Sequence, residues 1–346
     1  MVTYISIADF LSLRDRLLPV LDVRSPGEYV QGHIPQAVPF PLFSNEERKI
    51  VGTLFKESGP EKAFLAGLDF AGRKMSEYVR NAASLHSHEL LLYCWRGGKR
   101  SESMAWLLSQ AGYTCYVLEG GYRAYRRYLH ETLDKNRPVL VLGGMTGSNK
   151  TGMLLALKKS GHQVIDLEGL ACHKGSAFGH INEPQQPTTE FFENLLFDQW
   201  RILDPFRPVW LEDESRSIGK VILPQQFYNN KRMAPLLVIT VPLKQRVMHL
   251  VDDYTGVEND KLKDAVMRIS KRLGSNRVNA SLLALKNNDF FTVAEIVLEY
   301  YDKAYRYAIS QHNGDSVFYL SLPDTNASSG AEKIAEWYRE YFQKAQ

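Results

Sequence analysis

A cysteine with the surroundings of a nucleophile follows an apolar run of the chain. Cys94 comes directly after residues 89–93 and stands before a segment with helical patterning. Three cations follow it within six positions: Arg96, Lys99 and Arg100. At a strand-to-helix turn, backbone N–H groups and the helix N-terminus surround the sulfur, and with the cations they favour a thiolate. Because Gly97 and Gly98 let the backbone curl around an anion, we expect Cys94 to be a catalytic thiol.

The other two cysteines carry weaker signals. Cys115 lies inside an apolar strand pattern, where core packing is the simplest role. Cys172 stands beside His173, but two ligands without further cysteine spacing do not indicate a metal site. Three cysteines are also too few for a disulfide framework. We therefore assign no metal ligands and expect free thiols in a reducing compartment, the cytoplasm.

A glycine-rich loop in the second half of the chain follows the phosphate-binding pattern G-x-x-x-x-G-K-[ST], except that Asn149 replaces the last glycine. An apolar run precedes the loop and a helical pattern follows it. Backbone N–H groups and the helix N-terminus can wrap a phosphate, Lys150 can neutralise it, and Thr151 would hold a metal such as Mg²⁺ if one is used. The candidate residues are Gly144, Thr146, Gly147, Ser148, Asn149, Lys150 and Thr151. Asn tolerates unusual backbone angles, but its side chain can crowd the phosphate.

A second acidic strand lies further along, at residues 209–212. Phosphate-loop proteins keep a metal-holding acid at such a position, which Glu212 or Asp213 can fill. The residues after it form a candidate site loop at the carboxyl end of a strand: Asp213, Glu214, Ser215 and Arg216. A solvated charged turn is the alternative interpretation.

Basic and aromatic residues of the last hundred positions are candidate RNA contacts. Arg268, Lys271 and Arg272 are spaced to share one face of a predicted helix. The other cations are Lys244, Arg246, Arg277, Lys303 and Arg306, and the tyrosines are Tyr300, Tyr301, Tyr305 and Tyr307. Aromatic rings with basic neighbours can stack unpaired bases and hold phosphates. For any one cluster, a solvated face or a tyrosine-rich core helix is the more common explanation.

The composition excludes several classes of protein. The 346 residues are 44% hydrophobic and 23% charged, and Gly and Pro are too few for low-complexity disorder. No window is apolar enough for a membrane helix, and no secretion signal opens the chain. A net charge of +3 is too small for a global basic field, so any RNA binding depends on local patches.

Apolar runs alternate with helical patterns throughout, which predicts an α/β fold. In the first part the predicted strands are 18–23, 37–39, 89–93 and 115–118. In the second they are 138–142, 163–166, 209–212, 236–241 and 317–320. A polar stretch at 131–137 separates the two series. We therefore expect two domains, 1–130 and 137–346, the second with a mainly parallel sheet.

The first domain resembles the rhodanese family of sulfur-carrying α/β modules. The stretches DVRSPGEY and GHIP stand before the cysteine loop. The resemblance implies that Cys94 carries a terminal chalcogen and that Asp22 and Arg24 help to shape the site. The spacing of Cys94, five residues and Arg100 is one residue longer than in the usual sulfur-transferring loop. It resembles instead the loop of rhodanese-fold phosphatases, whose wider ring of N–H donors accepts a tetrahedral oxyanion.

The order of the motifs resembles that of the bacterial tRNA 2-selenouridine synthase family, in which a rhodanese domain is fused to a P-loop NTPase-like domain. The stretches DVRSPGEY, GHIP, CWRGGKRS, GGMTG-x-x-KT and ESRSIG follow one another in the expected order. Each motif is shared with other families, but the order is specific.

The resemblance implies a reaction on tRNA. Selenium replaces the sulfur of 2-thiouridine at the wobble position of tRNAs for Lys, Glu and Gln. The substrates are selenophosphate and geranyl diphosphate, and S-geranyl-2-thiouridine is the intermediate. An enzyme that supplies selenophosphate is then a possible partner. Cys94 would accept selenium and present a Cys–Se species, with the loop cations holding the donor. The glycine loop would hold a diphosphate, a nucleotide or an RNA phosphate, and a need for ATP stays open.

Three other functions stay open on the residues alone. The first is a rhodanese-type sulfurtransferase with a nucleotide-binding regulatory domain. The second is a rhodanese-fold phosphatase, although no general acid is evident in the sequence. The third is a non-catalytic nucleotide-sensing module, in which replacing Cys94 has no effect on function.

Overall fold

The computed structural model describes residues 1–254, 256–310, 312 and 316–344. The chain divides into two compact units, Met1–Thr132 and Leu133–Gln346. In the part of the chain that is described, no helix is both long and apolar enough to cross a bilayer.

The first unit is an α/β layer structure around one parallel sheet, whose strand order is β1-β5-β4-β2-β3. Its strands are β1 (Val2–Ile5), β2 (Val20–Asp22), β3 (Val38–Pro39), β4 (Glu89–Tyr93) and β5 (Thr114–Leu118). Its helices are α1 (Ile7–Asp15), α2 (Pro26–Gln31), α3 (Asn45–Glu57), α4 (Pro60–Gly72), α5 (Met75–Ala83), α6 (Lys99–Gln110) and α7 (Gly121–Leu133). Parallel strands need crossover connections, and these helices supply them.

Central strand β4 has the sequence ELLLY and is buried from Leu90 to Tyr93 on both faces, which explains why its apolar run does not alternate. The four strands predicted in this unit are confirmed within a few residues. Strand β1 was not predicted because VTYI is short and partly polar. It pairs at the sheet edge with β5, where Val2 lies opposite Cys115. Cys115 is fully buried in the apolar core, as its pattern predicted.

The second unit contains another five-stranded parallel sheet, in the order β12-β11-β6-β8-β7, and a separate hairpin of β9 and β10. Its strands are β6 (Val139–Gly144), β7 (Gln163–Val164), β8 (Val209–Glu212), β9 (Ser217–Ile218), β10 (Val221–Ile222), β11 (Leu236–Thr240) and β12 (Val317–Ser321). Its helices are α8 (Lys150–Lys159), α9 (Leu167–Ala171), α10 (Thr189–Arg201), α11 (Gln225–Met233), α12 (Leu243–Tyr254), α13 (Asn259–Arg268), α14 (Ser270–Leu273), α15 (Ser275–Lys286), α16 (Phe290–Ser310) and α17 (Ala327–Lys344). The predicted parallel sheet is confirmed.

The second unit has more than one apolar core. One core packs β6, β8 and β11 against α8 and α17. Another joins α13, α15 and α16 to the loop after α9. The helix predicted to carry Arg268, Lys271 and Arg272 on one face is interrupted at Ile269, so α13 ends at Arg268 and the other two lie on α14. The prediction of one continuous helix under these three cations was therefore wrong.

Candidate active sites

Cys94 lies directly after β4, the central strand of its sheet, and is 3% exposed. The Gly98 amide donates a hydrogen bond to Cys94 Sγ at 3.3 Å, and Ser101 Oγ donates one at 3.2 Å. A backbone amide and a hydroxyl therefore both point at the sulfur of Cys94. Ser101 was not predicted as a site residue. Its position in the first turn of α6, directly after the cysteine loop, is the feature that could have indicated it.

The Cys94 loop, residues 94–100, needs a glycine at only one of its two glycine positions. Gly97 has φ of +64°, and a Cβ there would lie 2.5 Å from Leu118 O and 2.9 Å from Gly120 N. Side chains cannot fit such backbone-to-backbone packing. A Cβ on Gly98 would meet nothing within 4 Å. Open space therefore lies beside the amide that reaches the sulfur.

The start of α7 clamps the Cys94 loop from the other side. The amides of Tyr122 and Arg123 donate to Cys94 O at 2.8 Å and to Trp95 O at 3.0 Å. Gly121 has φ of +57°, and a Cβ there would collide with Cys94 O. The loop conformation is thus fixed before any ligand arrives, which is the preorganisation that anion binding requires.

The three cations after Cys94 have different surroundings. Arg96 and Lys99 are exposed. Arg100 makes two hydrogen bonds to Glu28, at 2.7 and 3.2 Å. Burial opposes ionisation of Glu28, but the bonds and charge of Arg100 outweigh it, and the pKa of Glu28 falls below its ordinary value. Glu28 therefore acts as a positioning residue that holds the guanidinium of Arg100 beside the loop.

Asp22 and Arg24 form a buried frame behind the Cys94 loop. Both are at most 1% exposed, and Arg24 donates to both Asp22 carboxylate oxygens and to Gly32 O. The guanidinium carbon lies 3.9 Å from the ring centroid of Tyr122, and Tyr93 Oη donates to Asp22 at 2.7 Å. A paired and hydrogen-bonded arrangement makes this buried ion pair tolerable. These side chains therefore position β2, β4 and α7.

The glycine loop, residues 143–151, joins β6 to α8 in the strand–loop–helix order that the sequence predicted. Lys150 Nζ donates to Gly144 O at 3.0 Å, so the ammonium folds back over the loop. Thr151 Oγ1 donates to Glu168 at 2.8 Å. Ser148 is 1% exposed, and its hydroxyl has no hydrogen-bond partner within the described chain. The loop thus offers Lys150, a buried hydroxyl and the start of α8 to an anion.

Asn149 takes the left-handed backbone conformation, with φ of +59° and ψ of +40°. This is the conformation for which phosphate loops use glycine, and Asn is among the residues that tolerate it. Its Nδ2 donates to Thr325 O at 2.8 Å, in the loop before α17. The side chain is therefore anchored to that neighbouring loop.

Arg246 and Tyr305 brace the glycine loop and are not surface contacts for RNA. Arg246 is 3% exposed, pairs with Asp302 at 2.7 Å and donates to Thr146 O at 3.1 Å. Tyr305 Oη accepts from Gly144 N at 2.7 Å and donates to Asp213 at 3.1 Å. Their assignment as candidate RNA contacts was wrong, because Arg246 is buried and the polar groups of both side chains are bonded to partners within the second unit.

Carboxylates crowd around the glycine loop. Burial, then the charge of Glu168, raises the pKa of Glu214 to about 8, against the opposing charges of Lys150 and Lys231. Burial and neighbouring carboxylates also raise the pKa of Glu212 well above its ordinary value. Lys231 Nζ donates to Glu214 O at 2.7 Å. These two carboxyls therefore keep their protons to a higher pH than an exposed glutamate does.

The ESR loop, residues 214–216, leads into the β9–β10 hairpin. Ser215 Oγ donates to Ser217 O at 2.6 Å, and Arg216 is exposed. The Glu214 carboxylate lies close to Gly175, where a Cβ would come within 2.6 Å of Glu214 Oε2. The loop after α9 therefore covers Glu214 but leaves Arg216 open to solvent.

Several predicted RNA contacts do lie at the surface. Lys244, Lys271, Lys303, Arg306 and Tyr307 are all exposed. Others have protein partners: Arg268 with His180, Arg272 with Tyr300, and Arg277 with Glu299. Among the residues that the structure describes, no group of three or more His, Cys, Asp or Glu side chains is arranged to hold a metal ion.

Two family models match the chain, one in each unit. A model of the rhodanese-like domain matches residues 6–128. A model described as the tRNA 2-selenouridine synthase AAA domain matches residues 137–343.

Curated relatives match nearly the full length. A protein of Sulfurovum sp. (strain NBC37-1), described as tRNA 2-selenouridine synthase, is 32% identical, with 96% of this chain and 98% of that protein covered. Proteins with the same description from Nitrosomonas europaea and Shewanella loihica are 32% and 34% identical. Those matches cover 87% of this chain in each case, and 91% and 89% of the respective relatives.

Proposed function

Because the chain belongs to the tRNA 2-selenouridine synthase family, we propose that it replaces sulfur by selenium in the wobble 2-thiouridine of tRNAs for Lys, Glu and Gln. The proposed donor is selenophosphate, and the proposed intermediate is S-geranyl-2-thiouridine. The observation that carries this proposal is the presence, in one chain, of a hydrogen-bonded thiol at one strand-to-helix turn and of Lys150 folded over a second, glycine-rich strand-to-helix turn. Alkylation of sulfur and transfer of selenium are chemically different steps, and these two turns give each step its own site.

The first step is alkylation of sulfur. The 2-thio sulfur attacks C1 of geranyl diphosphate, so that a C–S bond forms while the C1–O bond breaks. Its electron pair leaves with diphosphate, and the N3 proton of the base passes to solvent. The glycine loop stabilises the departing diphosphate through Lys150 and its backbone amides. This step turns a poor leaving group into a good one.

The second step exchanges the chalcogen. Selenide attacks C2 of the alkylated base, the C2–S bond breaks, and geranyl thiolate leaves and takes up a proton. The Cys94 loop prepares the selenide from selenophosphate, whose tetrahedral oxyanion suits the amides and Arg100. The role of Cys94 is nucleophilic attack on this donor.

The family resemblance implies a Cys94–selenium species, which nothing in the structure tests; we propose instead that Cys94 attacks the donor at phosphorus. The Cys94 thiolate forms an S–P bond, the P–Se bond breaks, and its electron pair leaves with selenium as selenide. Water then hydrolyses the phosphocysteine to orthophosphate. A Cys94–selenium bond, by contrast, has to expel phosphite and needs a second thiol to release its selenium. The five residues between Cys94 and Arg100, and the Ser101 hydroxyl on Sγ, support attack at phosphorus. Phosphorus NMR tests this: orthophosphate supports it, while phosphite shows that Cys94 carries selenium.

The decisive experiment separates the two steps with matched variants. Purified protein, 2-thiouridine tRNA, geranyl diphosphate and selenophosphate are incubated, and the nucleosides are weighed by mass spectrometry. We expect Cys94→Ala to accumulate the geranylated base and to lose selenium incorporation at least about a thousandfold. Lys150→Ala is expected to lose geranyl transfer about a hundredfold but to use geranylated tRNA normally. Cys172→Ala and exposed Lys158→Ala are the controls.

The outcomes also distinguish the alternative functions. Transfer of sulfur from thiosulfate without any tRNA product would support a sulfurtransferase. Hydrolysis of phosphate esters alone would support a phosphatase. Equal loss of both steps in Lys150→Ala would show that the glycine loop organises the fold or binds RNA.

A further inference from the structure

An apolar cavity lies directly beside the glycine loop. It encloses about 510 Å³, its open mouth included. Its walls include Phe178, Leu250 and Leu262, together with Phe290, Val293 and Val297 of α16.

The cavity is continuous with the glycine loop, because Thr146 belongs to both. The backbone of Thr146 is fixed by Arg246, one turn before cavity residue Leu250 on α12. Gly147, with φ of +80°, also packs against Leu250: a Cβ there would lie 3.0 Å from its Cγ. A ligand whose phosphates occupy the glycine loop therefore has an apolar space next to its other end.

The lining decides which kind of ligand fits. Apart from Thr146 and Ser176, its polar groups are the hydroxyls of Tyr254 and Tyr301. Tyr301 Oη already accepts from the Ala177 amide at 3.0 Å, and burial raises the pKa of Tyr254, so that its hydroxyl stays neutral. A nucleobase needs several hydrogen-bond partners when it is buried. A hydrocarbon chain needs none.

We propose that this cavity holds the hydrocarbon chain of a linear isoprenoid diphosphate whose diphosphate binds at residues 144–151. The inference rests on the proposed function and deepens it. It assigns chain recognition to α12, α13 and α16, and it makes the glycine loop a site for an isoprenoid diphosphate rather than for ATP. The wall formed by α16 then sets the chain length that the protein accepts.

Ala294 on α16 lines the cavity and is partly exposed, which makes it the position for narrowing the space. Ala294→Phe narrows the cavity, and Val297→Ala enlarges it by two methyl groups. Ala308→Phe makes the same change at an exposed position of the same helix and is the matched control. The substrates are dimethylallyl, geranyl and farnesyl diphosphate, and the readout is kcat/KM for alkylation of 2-thiouridine tRNA, measured by mass spectrometry.

In Ala294→Phe we expect the preference for geranyl over dimethylallyl diphosphate to fall at least about tenfold. In Val297→Ala we expect the ratio of farnesyl to geranyl transfer to rise about fivefold or more. Ala308→Phe should leave both ratios as in the unaltered protein. Selenium incorporation into tRNA geranylated beforehand reports folding and should be the same in all of them.

The failures are distinguishable. An unaltered protein that alkylates no tRNA would overturn the proposed function itself. An unaltered protein that alkylates tRNA, with both ratios unchanged in Ala294→Phe and Val297→Ala, would overturn only the assignment of the cavity. Val297→Ala keeps the test decisive if Ala294→Phe does not fold.

Discussion

The Cys94 loop and the glycine loop share one backbone arrangement, a strand followed by a loop and a helix, but their electrostatic surroundings differ. Each follows a central parallel strand and leads into a helix. Beside Cys94, the nearby acid Glu28 is paired with two cations, Arg100 and Arg48. Around the glycine loop, Glu168, Glu212 and Glu214 face Lys150 and Lys231. A helix N-terminus and a turn thus supply anion binding in both units, while the side chains decide which chemistry follows.

The two loops also differ in how strictly they need glycine. Gly97 packs against the backbone of the residues before α7, so no side chain fits there. Position 149 needs only the left-handed conformation, and the Asn side chain finds a partner in Thr325 O. A conformational requirement admits Asn, whereas a steric one does not.

Among substitutions that leave Cys94 and Lys150 in place, the largest expected effect on activity comes from adding one methyl group at Gly97. Gly97→Ala meets Leu118 O and Gly120 N and adopts a costly backbone conformation. We expect selenium incorporation to fall about a hundredfold or more and the unfolding free energy to fall by about 2 kcal/mol. Gly98→Ala, whose Cβ meets open space, should keep its stability by urea denaturation. Equal destabilisation by both changes would contradict the steric account.

The second prediction concerns pH and is specific to the acidic surroundings of the glycine loop. Glu214 has a pKa of about 8 in the folded protein, above its unfolded value. The folded state therefore holds a proton that the unfolded state has released, and stability falls as pH rises from about 4.5 to 8. We expect a decline on the order of 3 kcal/mol, flattened in Glu214→Gln. Exposed Glu336→Gln is the control. Glu212 also has a raised pKa and keeps part of the slope, so a slope as steep in Glu214→Gln as in the unaltered protein would contradict the assignment.

The third prediction removes the hydroxyl donor from Cys94. Ser101→Ala deletes a hydrogen bond to sulfur, and bonds to charged groups are worth about 1.5–3 kcal/mol. We expect selenium incorporation to slow about 10- to 100-fold, with phosphocysteine accumulating under mass spectrometry, because the thiolate is also the leaving group in hydrolysis. Ser109→Ala on the same helix is the control. A faster reaction in Ser101→Ala would rule out this role.

The smallest effect is expected at Asn149. Asn149→Gly keeps the left-handed backbone accessible and loses only the bond to Thr325 O. Geranyl transfer should change by less than about threefold, and stability by about 1 kcal/mol. Asn149→Ala should cost more, since alanine lacks both the conformational tolerance and the amide. A tenfold rise of geranyl transfer in Asn149→Gly would contradict this expectation and show that the Asn149 side chain crowds the bound diphosphate.

Local signals in the sequence predicted most of this architecture. The apolar runs that became β2, β4, β6, β8 and β11 are buried on the sheet, so their composition carries the information. Strand β1 escaped prediction because it is short and pairs with β5, which lies far away in the sequence. The β9–β10 hairpin escaped because each of its strands has only two residues. Both loops could be recognised from residue spacing, because their glycines lie within a few positions of Cys94 or Lys150 in the sequence.

Long-range pairing limited the prediction of the sites. Glu28 and Arg100 are 72 positions apart, and Arg246 and Asp302 are 56 apart. The sequence around a basic residue does not show whether its side chain faces solvent or a buried carboxylate. The burial of Arg246 and the inward hydroxyl of Tyr305 follow from tertiary contacts that no local pattern encodes.

The ion pair of Arg246 and Asp302 ties the glycine loop to the helices of the cavity, because Arg246 lies on α12, Asp302 lies on α16 and Thr146 O accepts from Arg246. A ligand that orders the glycine loop therefore also orders the cavity helices, and the reverse holds as well. Such coupling is reciprocal by thermodynamic necessity. Geraniol, which has the chain but no phosphate, is then a cooperative ligand: inorganic diphosphate tightens its binding, and it tightens that of diphosphate by the same factor.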